Sequence, residues 1–289
     1  MEKLHGTGVA LVTPFTDNQE VDFNALKKLL DHTAQGVDYY VVMGTTGEPA
    51  TLERGEKKSI LQFVKDNNSK GLPIVYGAGG NNTKQVIDAI KETDLTGVDA
   101  ILSVSPYYNK PSQEGIYQHF VAIADASPVP VILYNVPGRT ASNMSAETTL
   151  RLAQHPNIAG IKEASGNLEQ CMRIARDKPE GFLLISGDDM MTLALYAHGA
   201  NGVISVLANA YPLLFRAVKE HSLAGNYAQA SEQMFKLLDL NPLMYEEGNP
   251  VGLKVLLKQM GICSSVVRLP LAHASESLTT RILSRLVKK

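Results

Sequence analysis

Eight short, almost unbroken apolar runs recur about thirty residues apart along the chain, and they limit its fold more than any other feature. They are Gly8–Val12, Tyr39–Met43, Pro73–Tyr76, Ala100–Val104, Val131–Leu133, Ile158–Ile161, Phe182–Ile185 and Gly202–Val206. A strand with one face in water alternates apolar with polar residues, whereas a strand covered on both faces in a parallel sheet does not. Between the runs lie helix-like segments: Phe23–Gln35, Glu56–Asn68, Thr83–Thr93, Gln113–Ala126, Ala146–Gln154, Leu168–Arg176, Met190–Ala197 and Pro212–Glu220. Leu26, Leu29 and Leu30 show the three- and four-residue spacing of a buried helix face. Eight strands alternating with eight helices, with no Pro/Gly/Ser-rich hinge, predict an α/β fold of the (β/α)8 TIM barrel type. The competing fold is a doubly wound open sheet, which usually carries GxGxxG after its first strand. The nearest string, Gly77-Ala78-Gly79-Gly80-Asn81-Asn82, lacks the last glycine and follows the third run, and no GxxxxGK phosphate loop occurs.

About 65 residues follow the eighth unit and predict additional C-terminal helices near Tyr227–Asp239, Gly252–Gln259 and Ser275–Val287. They are too few for a comfortable second domain. The expected organisation is a catalytic barrel over residues 1–222 with a helical extension over 223–289 packed on it in the same domain.

The chemistry allowed by composition is narrower than the fold. With 44% apolar and 19% charged residues the chain can bury a sizeable core, and its net charge of −2 disfavours nucleic-acid or acidic-membrane partners. No window holds the roughly 18 apolar residues that span a bilayer. The start, Met1-Glu2-Lys3-Leu4-His5, is too charged for a signal peptide, so a cytoplasmic location is expected. Cys171 and Cys263 read as buried small hydrophobes rather than a disulfide framework. His5, His32, His119, His155, His198, His221 and His273 show neither HxH nor HExxH spacing, which disfavours a histidine-built metal site.

In a barrel of this kind the loops after the strands build the site. Those segments hold the least ordinary residues of the chain: Gly44-Thr45-Thr46-Gly47-Glu48, Ser105–Pro111, Tyr134–Thr140, Lys162–Gly166 and Ser186–Asp189. Lys162 ends an apolar run, where it either snorkels to water or, withdrawn from water, presents a neutral amine able to attack a ketone. Tyr134 ends the preceding run and is Lys162's expected neighbour, either packing there or carrying a proton. The Gly44–Gly47 string is either an ordinary tight turn or a nest of N–H and hydroxyl groups for a carboxylate. Arg139 sits in a loop stiffened by Pro137 and can grip a carboxylate with its planar fork. Asp188-Asp189 reads as the N-cap and first turn of the next helix rather than as a magnesium site.

Taken together, these strings resemble the pyruvate-dependent class I aldolase superfamily typified by dihydrodipicolinate synthase and N-acetylneuraminate lyase. The resemblance runs from Val12-Thr13-Pro14-Phe15 to Arg268-Leu269-Pro270 and rests on GTTGE at 44–48, the tyrosine at 134 and GIKEASG at 160–166. YNVPGRT at 134–140, with its arginine, looks like the synthase branch, as do SPYYNKPSQEG at 105–115 and GVISVLAN at 202–209. The alternative within the superfamily is an aldolase for a 2-keto-3-deoxy sugar acid or N-acetylneuraminate.

The resemblance implies a lyase that joins pyruvate to L-aspartate 4-semialdehyde, giving 4-hydroxy-tetrahydrodipicolinate for lysine and diaminopimelate biosynthesis. By the same resemblance Lys162 forms the imine and Tyr134 moves protons, with Thr45 and Tyr108 completing a relay. Tyr108 reaches across from a neighbouring subunit of a homotetramer, a dimer of dimers. Thr46 binds the pyruvate carboxylate, Arg139 that of the aldehyde, and Gly187 and Ile204 line the pocket through their backbones. No metal or organic cofactor is implied.

Three positions depart from the family pattern: Gly138 and Pro49 stand where serine is usual, and Gly252 replaces the second proline of NPxPxK, which is expected to loosen that turn. Arg54, Lys57 and Gln85 replace the two histidines and the glutamate of the family's lysine-inhibition site, although Asn81 and Tyr107 remain. Two permanent cations and a neutral amide there imply weak or absent inhibition by lysine.

Overall fold

The computed structural model describes residues 1–287. Its first half runs β1 (Gly6–Ala10), α1 (Phe23–Thr33), β2 (Tyr39–Val42), α2 (Arg54–Asp66), β3 (Ile74–Gly77), α3 (Thr83–Glu92), β4 (Ala100–Val104) and α4 (Gln113–Ala126). There follow β5 (Val131–Asn135), α5 (Pro137–Thr140), α6 (Ala146–Leu152), β6 (Ile158–Glu163), α7 (Leu168–Asp177), β7 (Leu183–Ser186), α8 (Thr192–Ala197) and β8 (Gly202–Ser205). The chain ends with α9 (Pro212–Leu223), α10 (Tyr227–Phe235), α11 (Val251–Gln259) and α12 (Glu276–Leu283). The strands follow one another in order, β1 to β8, around a closed barrel, as the eight apolar runs predict. The chain divides into two compact units, one of Met1–Gly6 with Pro73–Ile204, the other of Thr7–Leu72 with the chain from Ser205 onward.

In the first unit β3 to β8 pair in parallel, neighbour to neighbour. Their side chains are buried almost without interruption, which is why the sequence does not alternate. Helix starts are fixed by short polar side chains that accept otherwise unpaired N–H groups. Asn82 caps α3 through Gln85 N (3.2 Å), Ser112 caps α4 through Gly115 N (3.2 Å), and Asn167 caps α7 through Gln170 N (3.0 Å). Two strands outrun their apolar runs by two residues. β5 continues through Tyr134 and Asn135, and β6 through Lys162 and Glu163, because the parallel ladder goes on pairing after the apolar residues stop.

In the second unit β1 pairs with β2 in the register Gly8↔Tyr39. β1 lies two residues earlier than its apolar run, since Thr7 is fully buried and only looks polar in sequence. Leu11 N still donates to Val41 O at 3.1 Å, and Val12 N donates to Asn209 Oδ1 at 3.2 Å. Among the C-terminal helices, α10 packs on α9 and α12 on α11.

Gly252 in α11 does not loosen its turn. A Cβ there would stand 2.3 Å from Leu243 O and 3.0 Å from Met244 Cα, so glycine lets two backbones close on each other where a ring would not fit.

The same helix carries Lys254, fully buried, whose ammonium lies 2.6 Å from Glu48 Oε1 and 2.8 Å from Val266 O, over the Phe15 ring. Glu48 Oε2 takes Arg268 N at 3.2 Å. Burial pushes the Lys254 ammonium below the ordinary lysine value, and the Glu48 carboxylate opposes that shift. Removing one member of such a pair strands the other charge in the interior. Lys254→Met should therefore cost about 3–5 kcal/mol of stability by urea denaturation, and the double change Glu48→Gln/Lys254→Met should recover most of it.

Candidate active site

The parallel register of β5 and β6 places Tyr134 opposite Lys162 and Asn135 opposite Glu163. Successive residues of a strand face opposite sides, so one pair shares one face and the next pair the other. Lys162 and Tyr134 are 6% and 7% exposed, and the Lys162 ammonium lies 4.3 Å from the centre of the Tyr134 ring. Among the described residues that ammonium has no hydrogen bond and no ion pair. A buried amine whose close neighbour is a phenol is suited to attack on a carbonyl carbon, with a proton carrier at hand.

Gly187, the first residue after β7, packs against the Lys162 side chain. Its N–H donates to Glu163 O at 2.8 Å, and a Cβ on it would meet Lys162 Cε at 3.1 Å and Ala164 Cβ at 2.6 Å. Glycine at 187 clears the room that the lysine stem occupies. Ile204 is buried in β8, one residue beyond the Ser186↔Val203 pair.

The opposite face holds a network that the sequence reading did not single out. The Glu163 carboxylate, 2% exposed, accepts from Asn135 Nδ2 (3.0 Å), Gln170 Nε2 (2.9 Å) and Ser165 N (2.7 Å). Asn135 Nδ2 also reaches Asn143 Oδ1 at 2.8 Å, and Asn143 Nδ2 reaches Gln170 Oε1 at 2.8 Å. The signal was present as the dipeptides Tyr134-Asn135 and Lys162-Glu163, whose members turn to opposite faces of their strands.

The remaining rim residues differ in setting. Arg139 is exposed on the short helix α5, and its guanidinium has no partner among the described residues. Tyr108, after β4, is 86% exposed with φ +77°, and Tyr107 beside it accepts the Asn81 amide at 3.3 Å. Asp188 does not cap α8, whose N-cap is Met191; its carboxylate instead takes Met190 N at 2.8 Å in a local turn two residues earlier.

In the second unit, the Thr45–Gly47 turn follows β2 directly and closes with Glu48 at φ +55°. Thr46 is buried, its hydroxyl held by Asn249 Nδ2 at 3.0 Å, while Thr45 is partly exposed. Thr13 Oγ1 donates to Gly47 O at 2.7 Å from the other side of the turn. Burial pushes the Cys171 thiol up to about 12 and the Cys263 thiol up to about 11, so neither supplies a thiolate at neutral pH.

The profile of the Dihydrodipicolinate synthetase family matches residues 3–289. A 4-hydroxy-tetrahydrodipicolinate synthase of Cytophaga hutchinsonii is 50% identical over 289 residues, covering 100% of this chain and 97% of the relative. The crystal structure of a chloride-inhibited dihydrodipicolinate synthase of Acinetobacter baumannii, complexed with pyruvate, superposes with a TM-score of 0.94 at 38% identity, over 98% of this chain and 97% of that one. A monomeric dihydrodipicolinate synthase variant superposes equally well, with a TM-score of 0.94 at 34% identity over 98% and 96% of the two chains.

All three donors on Glu163 point at an acceptor, so an amide at 163 would turn an N–H toward other N–H groups. Glu163→Gln should lose about 1–3 kcal/mol of stability, measured by chemical denaturation.

Proposed function

The chain belongs to the Dihydrodipicolinate synthetase family, and we propose that Lys162 carries its reaction as an imine with pyruvate. The activity is that of a lyase of lysine and diaminopimelate biosynthesis, forming 4-hydroxy-tetrahydrodipicolinate. The observation that carries the proposal is the buried Lys162 amine, unpaired among the described residues, against the Tyr134 ring.

The Lys162 nitrogen adds to the keto carbon of pyruvate, and Tyr134 returns a proton so that the carbinolamine leaves as water and imine. Loss of a methyl proton gives the enamine, whose carbon attacks the aldehyde of L-aspartate 4-semialdehyde. The amine of that substrate then adds to the imine carbon, closing the ring and freeing Lys162. Every proton moved in this sequence returns to water or to the relay, and no electron carrier or Lewis acid is required.

Thr45 and Tyr108 complete the relay in this reading. The 86% exposure and left-handed backbone of Tyr108 support its serving a site on another subunit, in a homotetramer built as a dimer of dimers. Thr46 takes the pyruvate carboxylate, and the unpaired Arg139 fork takes that of the aldehyde. Gly187 and Ile204 close the pocket with backbone. Among the described residues no helix is long and apolar enough to cross a membrane, which fits the cytoplasmic location proposed for a biosynthetic enzyme. A sugar-acid aldolase would keep Lys162 and Tyr134, but relatives half identical over the whole chain are synthases.

Borohydride reduction with pyruvate should add one pyruvate per chain at Lys162, located by mass spectrometry, and Lys162→Ala should abolish both labelling and turnover. Label on another lysine would refute the assignment. Tyr134→Phe should lower kcat on the order of 10²-fold with the fold intact by circular dichroism. Arg139→Ala should still be trapped by pyruvate while its KM for the aldehyde rises on the order of 10- to 100-fold. A rise confined to pyruvate would mean that the two carboxylate roles are exchanged.

A further inference from the structure

We propose that Asn249 is a positioning residue for the substrate carboxylate, acting through the Thr46 hydroxyl. The inference rests on the pyruvate reading above and adds to it a residue on the C-terminal segment.

A threonine hydroxyl has one proton to give and two lone pairs to receive. Several buried threonines of this chain spend the proton on a backbone carbonyl: Thr33 on Leu29 O at 2.8 Å, Thr140 on Ser142 O at 2.7 Å, Thr149 on Ser145 O at 2.9 Å. Thr46 is arranged differently. It is 2% exposed, its oxygen receives Asn249 Nδ2 at 3.0 Å, and its own proton has no acceptor among the described residues. A lone pair filled by a fixed donor turns the hydroxyl proton elsewhere. An anion arriving at the turn therefore meets a proton already directed outward and not engaged.

Asn249 is held in place from both directions. It is 7% exposed and lies two residues before α11, whose Lys254 is locked to Glu48 at the other end of the same turn. Residues 249–254 thus grip both Thr46 and Glu48, two positions apart. The Asn249 Oδ1 atom is buried without a hydrogen-bond partner among the described residues, a cost to stability that a merely structural amide would avoid by facing an N–H. The side chain is placed for the donor it presents.

The test exploits the near-identical shapes of asparagine and aspartate. Asn249→Asp replaces the donor with an anion that would draw in the Thr46 proton and repel a carboxylate. It should raise the pyruvate KM, and the pyruvate concentration for half-maximal borohydride trapping at Lys162, on the order of 10²-fold. Asn249→Ala, which only removes the donor, should raise both about tenfold. For both variants kcat at saturating pyruvate and KM for the aldehyde should stay within about threefold of the parent. In an Asn249→Asp/Thr46→Val double variant the effects should not multiply, because one group acts through the other.

Equal pyruvate constants for the Asp and Ala variants, with matching melting temperatures, would mean that the amide only fills space, and would overturn the proposal. So would multiplicative effects in the double variant. If the parent chain is trapped by pyruvate and the Asp variant is trapped as readily, this inference alone fails. If the parent is not trapped at all, the pyruvate reading fails with it.

Discussion

Parallel pairing of β5 with β6 is the constraint on which the proposed chemistry depends. The register sets Tyr134 against Lys162 and, one step further on, Asn135 against Glu163. Because side chains alternate, one pair faces the reacting side and the other the packing side. The same ladder bonds therefore fix the pair proposed to react and its support. A slip of one residue would send the lysine to the packing face and bring the carboxylate to the reacting face. The Glu163 network, with an acceptor satisfied by three donors from Asn135, Gln170 and Ser165, holds the register at its open end, where strands otherwise fray.

A second support comes from late in the chain. The turn after β2 is gripped by Lys254 at Glu48, by Asn249 at Thr46 and by Arg268, whose side chain reaches Gln19 O, Thr51 O and Glu56. The Arg268 guanidinium holds the Glu56 carboxyl below the usual carboxylate range. In the second unit, the C-terminal segments supply fixed partners to a turn that is otherwise only a few residues of glycine and threonine.

How much of this the sequence disclosed depended on the kind of signal involved. Continuous apolar runs revealed the eight strands because two-sided burial leaves a mark on every residue. The ends of β5 and β6 were harder to see, since a ladder can outlast its apolar residues. β1 was displaced because buried Thr7 looks polar on paper. Lys162 and Tyr134 stood out as unusual residue types at strand ends, Gly187 entered only through the family resemblance, and the structure groups all three. Glu163 and Asn249 did not stand out, because a buried carboxylate or amide gains its meaning from partners distant in sequence: 28 residues for the Glu163–Asn135 bond and 203 for Asn249–Thr46. Gly252 was misread for the same reason. The loss of a proline suggested slack, but the backbone of Leu243, which determines what fits there, is visible only in three dimensions.

The distance between Glu48 and Lys254 also has a consequence in time. They lie 206 residues apart. At a synthesis rate of about 5–20 residues per second, roughly 10–40 s separate the emergence of the acid from that of its counter-ion. Throughout that interval the nascent chain carries Glu48 unpaired, and water is the only good place for it. The Thr45–Gly47 turn then has neither the ion pair that closes one end nor the amide that orients Thr46. On the reading proposed above, the growing polypeptide acquires its hold on a carboxylate only once residues 249–254 have been made.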